Sequence, residues 1–295
     1  MESAFAGYHP AVNLLFFTGA VTAAMFVTHP LFLCISAGAA LLYYLLLTGR
    51  QGLLQAGGLV LLSWGIALIN PLFNTMGATV LFVYWGGRSF TLESLVYGMA
   101  AGGMFLSVML WFSCYNRIMT SEKFFYLFGQ WIPALSLLLC MVLRMIPRFQ
   151  IRARVMIGAR RSIGKTPENG TWMERLHNSL ALLSALTSWA LEGSVTTADA
   201  MRSRGYGTAK RTCYAFYRMA MRDWVALSVL ALAALLVAVC VSQGATAVTF
   251  LPRLSFCCLN PWVILGAVGY AAFLLMPSAI HLWEDFIWYI LRSRI

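Results

Sequence analysis

Apolar runs near residues 11–28, 31–48, 53–70 and 91–114, and again near 223–242 and 262–280, are each about long enough to cross a hydrocarbon layer of roughly 30 Å. They constrain the fold before anything else does. Of the 295 residues 60% are hydrophobic and only 11% charged, where a soluble domain carries about 25% charged residues. Mean hydropathy is +0.75. So much apolar surface has to face lipid. Lipid offers the backbone no hydrogen bonds, so only helices or a closed barrel can span it, and strand-like alternation is weak here. The expected class is an all-α integral membrane protein, multi-pass. The opening MESAFAGYHP has no basic stretch, so the first run reads as a retained span rather than a cleaved signal.

Punctuation between the runs supports separate helices. His29-Pro30 splits the first two runs into a hairpin, because proline removes a donor and pushes its predecessor out of the helical region. Arg50 marks a turn on the basic side, and Asn70-Pro71 ends the third run. The stretch MGATVLFVYWGG, 76–87, is apolar but too short to span; a re-entrant segment, a strand-like lid or a short interfacial helix would each fit it. Gly98 and Gly102 offer a close-packing face within the fourth run.

The charge of +11 is not spread evenly. Between Arg144 and Arg222 stand fourteen arginines and lysines against Glu168, Glu174, Glu192 and Asp199, nearly the whole excess in about a quarter of the chain. Positive segments remain in the cytoplasm. Residues 124–146 (FFYLFGQWIPALSLLLCMVLRMI) read either as a span or as a helix leading into the basic segment. Placing Arg50, residues 144–222 and Arg292/Arg294 on one side requires that 124–146 does not cross. The chain then has about six transmembrane helices with both ends inside. Three parts follow: N-terminal transmembrane helices 1–114, a basic segment 115–222 and C-terminal transmembrane helices 223–295.

Within the basic segment, residues 147–164 and 172–205 carry arginines at helical spacing among apolar residues, separated by the turn Pro167-Glu168-Asn169-Gly170. Both read as amphipathic helices, for which rest on anionic headgroups is the plainest role. The first ends in GARRSIGKTPENG, 158–170, which imitates a phosphate-binding loop. That loop, however, needs a buried strand before it and a helix start after it. Here the basic RFQIRARVMI precedes and a Pro/Asn/Gly turn follows.

A repeat explains the stretch better. Ala159-Arg160-Arg161-Ser162-Ile163-Gly164 and Ala200-Met201-Arg202-Ser203-Arg204-Gly205 match at Ala, Arg, Ser and Gly. In each, glycine sits where a left-handed residue ends a helix, and arginine complements the negative end of the dipole. Two such tips suggest paired docking, with Ala159, Arg160, Arg161, Ser162, Gly164, Ala200, Arg202, Ser203, Arg204 and Gly205 as the candidate residues. Arg204 would grip a carboxylate in a partner's groove.

The tip AMRSRG followed by Tyr206-Gly207 resembles the Ala-x-x-Ala/Ser-Arg-Gly signature of the transmembrane (T) component of energy-coupling factor importers. The surrounding SWALEGSVTTADAMRSRGYG (188–207), YHPAVN (8–13) and VMLWFSCYNRIMTSEKF (108–124) are similar too. The likeness runs to about residue 280. It implies an ABC-type importer of vitamins or metals in the cell membrane. Two cytoplasmic ATPases would receive long amphipathic coupling helices, here 115–222, and a membrane-embedded S component would bind the substrate. The resemblance puts Arg204 at the motif's arginine, whereas the first tip has Ile163 there, with Arg160 or Arg161 as substitutes. It implies no catalysis, no cofactor and no nucleic-acid partner for this chain.

Other classes fare worse on the residues. A membrane enzyme acting on lipid or prenyl phosphates needs clustered acids or histidines, and Glu284-Asp285 is the only adjacent pair among ten acids. A channel or secondary transporter acting alone predicts ionisable groups inside the spans, which are nearly free of them; Glu93 sits at an edge. The seven cysteines form no C-x-x-C, and His9, His29, His177 and His281 have no ligand spacing, so no metal site is expected.

Overall fold

The computed structural model describes residues 4–74, 77–84, 88–128, 133–164, 170–208, 217–244, 246, 248–250, 255–256 and 260–292. Its chain divides into two compact units, one of residues 1–124 and 217–295, the other of 125–216.

The first unit opens with a 3₁₀ turn, Ala4–Gly7, followed by α1 (Pro10–Phe26), α2 (Pro30–Thr48) and α3 (Arg50–Phe73). A hairpin of β1 (Val80–Tyr84) and β2 (Arg88–Thr91) leads into α4 (Leu92–Ile118). The chain leaves through α5 (Ser121–Phe128) and returns in α8 (Met221–Ser242). A two-residue pair, β3 (Val248–Thr249) with β4 (Ser255–Phe256), precedes α9 (Pro261–Arg292). Among the described residues five helices are long and apolar enough to cross a membrane: α2, α3 from Gly52, α4, α8 and α9. The protein is a helical, multi-pass membrane protein. The run expected at 11–28 forms the shorter apolar helix α1, of 17 residues.

Two His-Pro pairs start helices in the same way. Proline occupies the first turn, where its missing N–H costs nothing. The Nδ1 of His9 accepts the N–H of Ala11 at 3.2 Å, and the Nδ1 of His29 accepts that of Leu31 at 3.3 Å. Burial pushes His29 below its ordinary pKa, which keeps the ring neutral and able to accept.

The core of this unit is aromatic. Phe16 of α1 meets Trp111 of α4 edge-on at 5.5 Å and stacks on Phe273 of α9 at 5.5 Å. The Nε1 of Trp111 donates to Ser36 Oγ of α2 at 3.3 Å. Helices α1 and α2 thus meet α4 at its buried indole, and α9 joins them through Phe16. Between α3 and α4 the contact is made by backbone instead: a Cβ at Gly98 or Gly102 would collide with the carbonyl oxygens of Ala67 and Ser63. Lipid supplies no hydrophobic drive between helices, so such close approach is how a pair gains contact.

Of the stretch 76–87, expected to be re-entrant, strand-like or a short helix, 76 and 85–87 lie outside the described residues, and residues 80–84 form a strand of a hairpin whose base is pinned by Glu93. Its carboxylate accepts the N–H of Thr79 at 3.1 and 3.2 Å and the Thr79 hydroxyl at 2.6 Å.

In the second unit α6 runs from Pro133 to Ser162 and α7 from Trp172 to Ser203. The helix expected at 147–164 is therefore the C-terminal half of a longer one that takes in most of 124–146 and accommodates Pro147. Charge sets the halves apart: the N-terminal half is apolar, and all six arginines lie from Arg144 onward with no acid. The helix is not among the five with span-like composition.

Gly98→Ala and Gly102→Ala should each destabilise the membrane unit by about 1–3 kcal/mol, as overpacking does. Gly103→Ala, whose added methyl meets open space, should be close to neutral. Thermal unfolding in detergent measures all three, and equal midpoints would show that α3 and α4 do not approach so closely.

Candidate docking tips of the helical pair

The second unit is built from two helices lying antiparallel. Phe149 of α6 meets Trp189 of α7 edge-on at 5.6 Å, and the Arg152 guanidinium lies over the same indole at 5.6 Å. Farther along, Arg160 Nη2 of α6 donates to Asn178 Oδ1 of α7 at 3.2 Å. Residue numbers rise on one helix as they fall on the other, which fixes the direction. Stacking arginine on tryptophan lets a basic helix hold a neighbour without an acid.

Each tip ends as its sequence requires. In the second, Gly205 takes φ +73°, its N–H bonds to Arg202 O at 3.0 Å and the Tyr206 N–H reaches back to Met201 O at 3.0 Å. These are the two bonds of a Schellman stop. In the first, Gly164 takes φ +74° and its N–H bonds to Arg161 O at 3.1 Å, the matching position. Ser162 and Ser203 each turn their hydroxyl onto the carbonyl four residues back, Gly158 and Asp199. The repeat in sequence is matched at the glycine φ and at the glycine's own bond; one residue earlier the bonds differ, Ile163 N–H reaching Arg160 O and Arg204 N–H reaching Ala200 O. A helix, not a strand, precedes Gly164, so the backbone departs from that of a phosphate loop; Lys165 to Asn169 lie outside the described residues.

The side chains of the two tips differ. Arg202 and Arg204 are exposed and have no hydrogen-bond or ion-pair partner among the described residues. Arg160 is spent on Asn178, and Arg161 is also engaged. Ile163, which replaces the second tip's Arg204, is 68% exposed. Ala159, Ala200, Ser162 and Ser203 are exposed as well, leaving the last turn of each helix open to approach. Each tip stands about 20 Å along its own helix from the Trp189 contact, so the two lie at opposite ends of the pair, roughly 40 Å apart.

The Trp189 contact and the Arg160–Asn178 bond were not foreseen from sequence. The available signal was Trp189 in the middle of a helix that follows an arginine-rich one. Among the described residues no three of His, Cys, Asp and Glu gather as a metal site would require. Compared with known families and proteins, the chain matches no family model and no curated protein.

Gly164→Ala and Gly205→Ala should each cost about 1 kcal/mol locally, because alanine resists a positive φ. Hydrogen exchange at residues 160–164 and 201–206 reads the effect. Unchanged protection would show that the helices end elsewhere.

Proposed function

We propose that this chain is the transmembrane coupling subunit of an energy-coupling-factor-type ABC importer of the cell membrane. It would carry the movement of two cytoplasmic ATPases to a membrane-embedded S component that binds a vitamin or a metal. One observation carries the reading: two helix tips that each stop on a left-handed glycine, at opposite ends of one arginine-rich pair, the second with two guanidiniums that have no partner among the described residues. A pair of ATPases presents two grooves, and a rigid pair of helices with a tip at each end is the simplest way to engage both.

In this reading α1 makes a sixth crossing, and both termini share the basic segment's side of the membrane. The glycine-ended tips enter the ATPase grooves. Ala200 and Ser203 permit close approach, and Arg204 pairs with a carboxylate there. Closure of the ATPases on ATP shifts the tips, and the Trp189 contact transmits that shift between the helices. The exposed Leu138, Val142 and Ile146 on the apolar half of α6 give an S component an apolar surface to pack on and tilt with. The chain itself binds no nucleotide and performs no catalysis in this scheme. Substrate choice belongs to the S component.

Arg204→Glu tests the reading directly. The variant should insert normally, co-purify with far less ATPase, and support no ATP-driven uptake. Uptake at the parental rate would remove Arg204 from the mechanism. Purification of the parental protein from its membrane without any ATPase would remove the reading itself.

A further inference from the structure

Lys123 and Asp223 are buried charges, 7% and 3% exposed, that the docking tips leave without a role. They stand at the two places where the chain leaves the membrane unit for the second unit and returns from it. We propose that residues 4–9 form a strap that locks these two places into one body.

Each charge caps a helix. The last carbonyls of α4 have no partner within the helix, and Lys123 Nζ donates to Ile118 O at 3.1 Å, a cation at the negative end of the dipole. At the start of α8 the Asp223 carboxylate accepts the N–H of Ala220 at 2.8 Å, an anion at the positive end. Both caps then spend a second hydrogen bond on the strap. Lys123 Nζ donates to Ala6 O at 2.6 Å, and the N–H of His9 donates to the other Asp223 oxygen at 3.1 Å.

A third contact lies between them. Arg222 Nη2 donates to Gly7 O at 2.8 Å, and its guanidinium lies over the Tyr8 ring at 5.1 Å. The strap is itself held fast, because Phe5 is fully buried with its ring edge-on to Phe16 and Phe17. Four consecutive strap residues, Ala6 to His9, thus hold the outgoing cap on one side and the returning cap on the other. Removing either cap frees part of the strap and loosens the other, although Lys123 and Asp223 are a hundred residues apart in sequence.

Hydrogen exchange on the full-length protein in nanodiscs tests this without reference to transport. Lys123→Met should speed amide exchange about tenfold or more at 119–124 and also at 220–224, with the middle of α2 unchanged. Arg222→Gln, at an exposed position that can be altered without opening the core, should loosen 5–8 and with them 119–124. Acceleration at the remote segment in either variant supports the strap. Exchange that changes only around the substituted residue in both, or nowhere, overturns it.

Discussion

A helix that ends near lipid leaves up to four amides or four carbonyls with neither water nor a neighbour to satisfy them. How each end of each helix meets that demand decides most of this structure. His9 and His29 take up amides at the starts of α1 and α2. Lys123 takes a carbonyl of α4, and Asp223 an amide at the start of α8. Glycine at positive φ is the other solution, at Gly49 after α2 and Gly244 after α8 in this unit and, at the described ends of both second-unit helices, at Gly164 and Gly205. The two solutions have different consequences. The charged caps Lys123 and Asp223 each tie a helix end to a second element, whereas the second unit's glycine stops use only local backbone and leave the end free to meet something else.

That contrast orders the chain into a part that holds and a part that reaches. In the membrane unit, caps, the buried Trp111 and the glycine contacts of α3 with α4 all spend polar or backbone groups internally. In the second unit α7 has no buried residue at all, and α6 carries six arginines without an acid. Such a pair gains little from burial. Its described internal contacts, Phe149 and Arg152 on Trp189 and Arg160 on Asn178, are few. The apolar and basic surface left over is large for a surface meant to face water alone.

Hydropathy made the long apolar helices legible because span length and composition are local properties, and glycine after arginine made the helix stops legible for the same reason. The β1–β2 hairpin was legible only as something short and apolar, since its form depends on Glu93 pinning Thr79 across the turn. The start drawn at residue 147 was too late: α6 runs from Pro133 through Pro147 to Ser162, in line with the alternative of a helix that leads into the basic segment. A proline costs a helix one bond and a bend, not its continuity, when both flanks favour helix. The caps on the strap were out of reach altogether, because nothing in the residues near Lys123 names Ala6 as its partner.

The two tips pose the last question of the molecule, why two glycine stops so alike carry unequal side chains. Both present a small residue, a serine folded back on its helix and a left-handed glycine. Shape is therefore common to them, and grooves that receive them need only one form. Charge is not common. At the second tip the Arg202 and Arg204 guanidiniums have no partner among the described residues, while at the first Arg160 is drawn back to Asn178 and Ile163 projects instead. An arginine drawn back in this way stiffens the pair at the same end where the tip loses a cation. Under the importer reading, shape seats both tips, while guanidinium pairing adds strength mainly at the second, and an apolar contact to Ile163 does so at the first. Two different ATPases, or one ATPase bound in two ways, meet that requirement equally. In either case the asymmetry would begin with the two positions at which the repeat departs from itself, Arg160 against Met201 and Ile163 against Arg204.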